Sequence, residues 1–209
     1  DEEFSRRVAD NFQEAYMTHT TTSANYQILA SLDIGRRQVE LEGYELVEKS
    51  IEMAMVLRSK IQDHPKLSKY FHVLNVKDII PAEFRQCASS EYYTEKDGWD
   101  RMEESWEKDE FVLDPTKVTL SVGKAGITGD AFKNSYLMDR FNIQVNKTSR
   151  NTVLFMTNIG TTRGSVTFLI NALLQIADEL DESMRSLNKR EEEIAKKHIN
   201  SLIKDVPPL

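Results

Sequence analysis

Apolar residues recur every four positions at the start of the chain, at Phe4, Val8, Phe12 and Tyr16. That spacing predicts a helix over 3–17 with one apolar face. A second helix is predicted over 24–41, with Ser23 as its N-cap and Tyr26, Ile28, Leu29, Leu32 and Ile34 as its apolar surface. Gly43 is expected to break or kink it. A third, over 44–62, carries Val47, Ile51, Ala54, Met55 and Ile61. It stops before His64-Pro65, because the residue preceding a proline is pushed out of the helical region.

Beyond residue 65 the period changes. FHVLNV (71–76) reads as a short strand, and 88–110 as an irregular or partly helical connection. VTLSV (118–122) and IQVNKT (143–148) alternate as half-buried strands do, with a helix over 130–141 between them. TVLFMTN (152–158) is apolar on both faces, which predicts a central strand. Val166, Leu169, Ile170, Leu173, Leu174, Ala177 and Leu180 define a strongly amphipathic helix, and a charged helix over 183–204 precedes Pro207-Pro208. Helices first and a β-α-β-β-α unit after them predict an α+β chain in two pieces, divided near residue 65.

Composition narrows the partners more than the fold. The 209 residues suffice for a sizeable core, and 40% hydrophobic with 29% charged content is that of an ordinary globular protein. With 27 basic against 34 acidic residues, no basic surface invites nucleic acid. No apolar run approaches the roughly 20 residues that cross a bilayer. The single cysteine, Cys87, excludes an internal disulfide and agrees with a reducing, cytoplasmic compartment. The opening DEEFSRR is acidic where a signal peptide is basic, and it carries no initiator Met; a cytoplasmic piece of a longer protein is the expectation.

Candidate chemistry is sparse. His19, Thr20, Thr21, Thr22 and Ser23 crowd before a helix, although threonines are poor helix formers. Two readings stay open: an extended connection ending in a cap, or an anion site built from hydroxyls and helix-start amides. SVGKAGITGD (121–130) has its lysine too early for a phosphate-binding loop and reads as a flexible turn. His19, His64, His72 and His198 form no metal-ligand spacing, and Cys87 has only Arg85 nearby to activate it. KREEEIAKK (189–197) is a solvated helix face.

The stretch EAYMTHTTTSANYQILASLDIGRR (14–37) resembles the ornithine/lysine/arginine decarboxylases, pyridoxal-phosphate enzymes of fold type I. The matching features are E-A-Y-M-x-H-x-T-T-S, an aromatic three residues past Ser23, and the I-L-A-S-L-D that follows. LDPTKVTLSVG (113–123) resembles the family's L-D-P-x-K-V-T-L motif. Residues 126–165, from GITGD to GTTRGS, resemble its G-I-P…I-V-V-E-K-T…G-x-T-K-G block.

The resemblance implies that residues 1–64 close the large cofactor domain and the helix leaving it, and that 65–209 form the C-terminal small domain. It implies pyridoxal phosphate as cofactor, a basic amino acid as substrate and a homodimer in which Thr21, Thr22 and Ser23 reach the phosphate or substrate of the neighbouring subunit. His19 and Tyr26 would stand at the rim. The family's cofactor-anchoring lysine lies in an S-x-H-K motif, which does not occur here. Asn146 stands where the family has the Glu of E-K-T; a carboxamide holds a cationic substrate less strongly than a carboxylate. Asp130 and Asp139 are carboxylates that would compensate. The alternative is a non-catalytic regulatory or interaction module of the same architecture.

Overall fold

The computed structural model describes residues 2–20, 23, 25–87 and 100–204, and its chain divides into two compact units, Asp1–Tyr44 and Glu45–Leu209. The first helix, α1, spans Glu2–His19 and follows the predicted four-residue spacing, yet none of its residues is buried. The next, α2, spans Tyr26–Asp63. Two expectations change here. Asn25, not Ser23, caps α2: its Oδ1 accepts from the amides of Gln27 at 3.0 Å and Ile28 at 3.2 Å. Gly43 also fails to end the helix. A glycine costs about 1 kcal/mol within a helix, and long flanking runs of helix-forming Arg, Gln, Glu and Leu outweigh that. The end is as expected: α2 stops at Asp63, and His64 Nδ1 accepts from Lys66 N at 3.3 Å to cap the short α3, Pro65–Tyr70.

The second unit is built on a four-stranded antiparallel sheet of order β1-β2-β4-β3. These strands are β1 (His72–Val73), β2 (Lys117–Ser121), β3 (Lys147–Thr148) and β4 (Thr152–Met156). FHVLNV therefore supplies only two strand residues, because Asn75 takes Asp78 into a capping box that starts α4, Val76–Ile79. IQVNKT likewise pairs only at its end, although Val145 is buried between exposed Gln144 and Asn146, as its alternation predicts. The strand β4 is central in the sheet, but not buried on both faces. Val153 and Phe155 are buried, while Leu154 is half-buried and Met156 exposed. Residues 88–99 of the expected connection lie outside the described residues; α5, Asp100–Lys108, follows them.

Between β2 and β3 the predicted flexible turn is a packed one. Gly123 is buried, and Gly126 takes a left-handed φ of 72°. Thr128 then caps a helical run made of α6 (Gly129–Ala131), a π-helical stretch (Phe132–Met138) and α7 (Asp139–Phe141). The chain leaves it through Asn142, a left-handed residue with φ 54°. Phe132 and Leu137 are fully buried, against a core of Met53, Leu57 and Ile61 from α2 and Val118, Leu120 and Val153 from the sheet. Each such side chain contributes about 1.5–3 kcal/mol. The long helix α8, Arg163–Ser186, buries Val166, Leu169, Leu173, Ile176 and Ala177 in the same core. Asn188 caps a final helix, α9 (Lys189–Lys204), in a reciprocal box with Glu191.

Short α3 is held to α8 by ionic contacts. Lys69 Nζ and Tyr70 Oη both donate to Asp181 Oδ1, the second at 2.6 Å. The Lys69 contact, and after it the Tyr70 hydroxyl, hold the Asp181 carboxyl below its ordinary pKa. The stabilisation is therefore complete above the unfolded value of about 3.9 and fades as pH falls through the lower folded value. Asp181→Asn is expected to flatten that part of the acid limb of a thermal-stability profile. An unchanged acid limb would show that the contact carries nothing.

Candidate functional site

The candidate residues fall into two groups, one in each compact unit. In the first unit, α1 ends as its hydroxyl and imidazole groups turn back on its own backbone. Thr18 Oγ1 donates to Glu14 O at 2.9 Å, and Thr20 Oγ1 to Met17 O at 3.4 Å. His19 Nδ1 lies 2.8 Å from Ala15 O and so carries its proton there, which leaves Nε2 as the ring's other polar atom. Thr21 and Thr22 lie outside the described residues. Ser23 is exposed, and Tyr26 opens α2 with 80% of its surface accessible.

Asn25 alters the physics proposed for this cluster. Its Oδ1 takes two first-turn amides of α2, those of Gln27 and Ile28, so an anion would be met mainly by hydroxyls and the helix field. Asn is as strong an N-cap as Ser and stands directly before the first helical residue. Hydroxyl donors such as Ser23, at the positive end of a 38-residue helix, fit a phosphate group in charge and donor type.

In the second unit, Asn146 donates its backbone N–H to Leu154 O at 2.9 Å and keeps its side chain exposed. Asp130 is engaged by Thr148 Oγ1. A groove of about 530 Å³ opens nearby, between the segment entering β3, the end of β4 and the start of α8. Asn142, Gln144, Thr157, Thr161 and Ser165 supply its polar groups, and Leu57, Phe155, Met156, Phe168 and Leu169 are among its apolar walls. Asp130 and Asp139 are not among the lining residues. Sequence reading missed Asn142 and Gln144, although both share the two-residue alternation with Asn146.

The surroundings of Cys87 do not favour its thiolate. Its thiol faces Glu104 O at 3.4 Å and its N–H donates to Asp109 Oδ1 at 2.8 Å. Burial and then the Asp109 carboxylate push the thiol pKa up, away from the reactive thiolate. Among the described residues no cluster of three His, Cys, Asp or Glu is placed to hold a metal ion, and no helix is long and apolar enough to cross a membrane.

A family model described as Orn/Lys/Arg decarboxylase, major domain, matches residues 3–165. Arginine decarboxylase of Bacillus subtilis (strain 168) is 27% identical over 173 residues, which cover 83% of this chain and 29% of that protein. Arginine decarboxylase of Bacillus anthracis is 30% identical over 158 residues, covering 76% and 26%. Constitutive lysine decarboxylase of Escherichia coli (strain K12) is 26% identical over 187 residues, covering 85% and 25%. Among solved structures, lysine decarboxylase A from Pseudomonas aeruginosa matches with a TM-score of 0.56 at 24% identity, over 82% of this chain and 24% of its own. The lysine decarboxylase of Francisella novicida gives 0.55 at 24% identity, over 88% and 26%. The chain thus spans less than a third of the length of each of these proteins. A match over most of the chain, containing the hydroxyl cluster, the L-D-P motif and the block around Asn146, carries one conclusion: the chain belongs to the Orn/Lys/Arg decarboxylase family.

Proposed function

We propose that this chain is the C-terminal part of a cytoplasmic, pyridoxal-phosphate-dependent amino-acid decarboxylase of the lysine/ornithine/arginine type. It would contribute phosphate and substrate contacts across the interface of a homodimer. One observation carries the reading. Phe4, Val8, Phe12 and Tyr16 of α1 are all at least half exposed, as are Ile28, Leu29, Leu32, Ile34, Val39 and Leu41 of α2. Large apolar side chains left to water in such number on two helices fit a surface that more polypeptide covers. The aligned stretch is 29% and 25% of the length of two such relatives, whose remaining polypeptide provides for that.

In this reading residues 1–64 close the cofactor domain and 65–209 form the C-terminal domain, with the compact division after Tyr44 falling within the interdomain helix. Thr21, Thr22 and Ser23 hold the phosphate, and His19 and Tyr26 line the approach. Bound there, the cofactor supplies an electron sink for loss of CO2 from an amino acid. This chain's own work is to bind and orient. Arginine and lysine are the amino acids in the names of these relatives, and Asn146 contacts the substrate in this reading.

The complete polypeptide is expected to be yellow with bound cofactor. Ser23→Ala and Thr22→Ala, each removing one donor to a doubly charged phosphate, should weaken pyridoxal-phosphate affinity about 10-fold or more in an absorbance titration of the apoprotein. Unchanged affinity in both variants removes the phosphate role, and a complete polypeptide with no cofactor absorbance removes the decarboxylase reading.

A further inference from the structure

The final helix is held to the second unit along one side. Ala195 and Ile199 of α9 are half-buried and Leu202 is buried, at a spacing that puts all three on one face, while Arg190, Glu193, Lys196 and Lys197 are exposed. The inward face packs chiefly on the turn Gly123–Ala125. Glycine makes that seat close: a Cβ on Gly123 would lie 3.4 Å from Leu202 O, and one on Gly126 3.3 Å from Ile199 Cγ1.

A second turn shares the attachment. Asn151, between β3 and β4, donates from Nδ2 to Leu202 O at 2.8 Å, and Arg150 Nη2 donates to Ser201 Oγ at 3.4 Å. Leu202 lies in the last turn of α9, where the helix itself supplies no donors to its carbonyls, so the carboxamide caps it from another part of the chain. The backbone of this turn also holds the first one. Val122 N donates to Asn151 O at 2.8 Å, and Gly129 N to Arg150 O at 2.9 Å. Asn151 is therefore the joint, with its side chain on α9 and its carbonyl on the residue that leads into Gly123.

From these contacts we infer that α9 is a strap. Its docked end ties the turn after β2 and the turn between β3 and β4 into one unit, and that unit opens and closes together while α8 and the sheet stay folded. Opening it uncovers Leu202 and Ile199, whereas α8 buries six residues, so the strap lies at the low-stability end of the structure. The two turns follow α9 because the bonds that hold them to each other run through the residues that hold it. The inference goes beyond the decarboxylase reading and needs neither cofactor nor substrate.

Hydrogen exchange of the complete polypeptide, followed by mass spectrometry of its peptides, tests it. Peptides over 122–131, 147–153 and 189–204 are expected to exchange at matched rates, all faster than the peptide over 166–177 in α8. Leu202→Ala, on the strap, and Asn151→Ala, on the turn, should each accelerate exchange in all three peptides about 10-fold and leave that of α8 unchanged. Ile194→Ala, at an exposed position of the same helix, should change none of them. Three results each overturn the inference: acceleration confined to the peptide that carries the substitution, equal acceleration in α8, or a wild-type α9 that exchanges no faster than α8. Cofactor absorbance of the same samples reports on the decarboxylase reading alone, so either can fail without the other.

Discussion

Replacing Gly129 with alanine is expected to abolish the cooperative unfolding of the second unit, or to lower its stability by about 4 kcal/mol or more. The cause is steric and involves no flexible side chain. A Cβ built on Gly129 would lie 2.2 Å from Ser149 O and 2.4 Å from Thr152 O, both backbone atoms. Gly129 N also donates to Arg150 O at 2.9 Å, so the start of α6 is pinned against the β3–β4 turn that it would have to leave. Neither can move without breaking the β3–β4 pairing of Thr148 with Val153. Gly35, on α2, makes the control: nothing lies within 4 Å of its absent Cβ, and alanine there should stabilise by about 0.5–1 kcal/mol. Urea unfolding followed by circular dichroism separates the two. A Gly129→Ala protein with an unshifted midpoint would mean that the turn relaxes freely and that this close approach is unimportant.

Why the role of Gly129 escaped the sequence is instructive. Gly123, Gly126 and Gly129 look alike in a string, and three glycines within seven residues suggest looseness. Their reasons differ: one is buried, one needs a positive φ, and one needs room for a neighbouring backbone. Only tertiary contact distinguishes them. Periodicity did better wherever burial alone decides structure. The α8 face and the alternation of Val118, Leu120 and Val122 were legible because each residue's environment follows from its spacing. Strand length was not: β1 is cut to two residues by a capping box, a local hydrogen-bonding event, and β3 pairs only over Lys147 and Thr148.

The candidate site was legible only in part, for the same reason. Ser23 stood out as a motif position and Asn146 as a departure from one. Asn142 and Gln144 did not, since their relevance comes from β4 and α8 folding over them to make a groove. Asn25 was passed over for a different reason. Ser23 and Asn25 are equal candidates on propensity, and the choice between them depends on where the backbone turns helical.

A second large effect is expected at Arg58, a residue whose periodic position in α2 said nothing of its work. Its guanidinium leaves α2 and donates from Nη1 to Leu74 O at 3.3 Å and from Nη2 to Lys117 O. Leu74 directly follows β1 and Lys117 opens β2, so one side chain ties α2 to both strands across 16 and 59 residues of sequence. Arg58→Met preserves the aliphatic stem and its packing while removing both charge-assisted donors. It should cost about 2–4 kcal/mol, since partly buried carbonyls lose donors that water cannot fully replace. Arg58→Lys should recover only part, because a single ammonium cannot span two carbonyls as a planar fork does. The ordering wild type, then Lys, then Met in urea midpoints is the signature of the fork. Equal midpoints for Lys and Met would show that geometry, not charge, carries the contact. A loss under about 0.5 kcal/mol for Met would show that the sheet keeps its place on α2 by apolar packing of Met53, Leu57 and Ile61 alone.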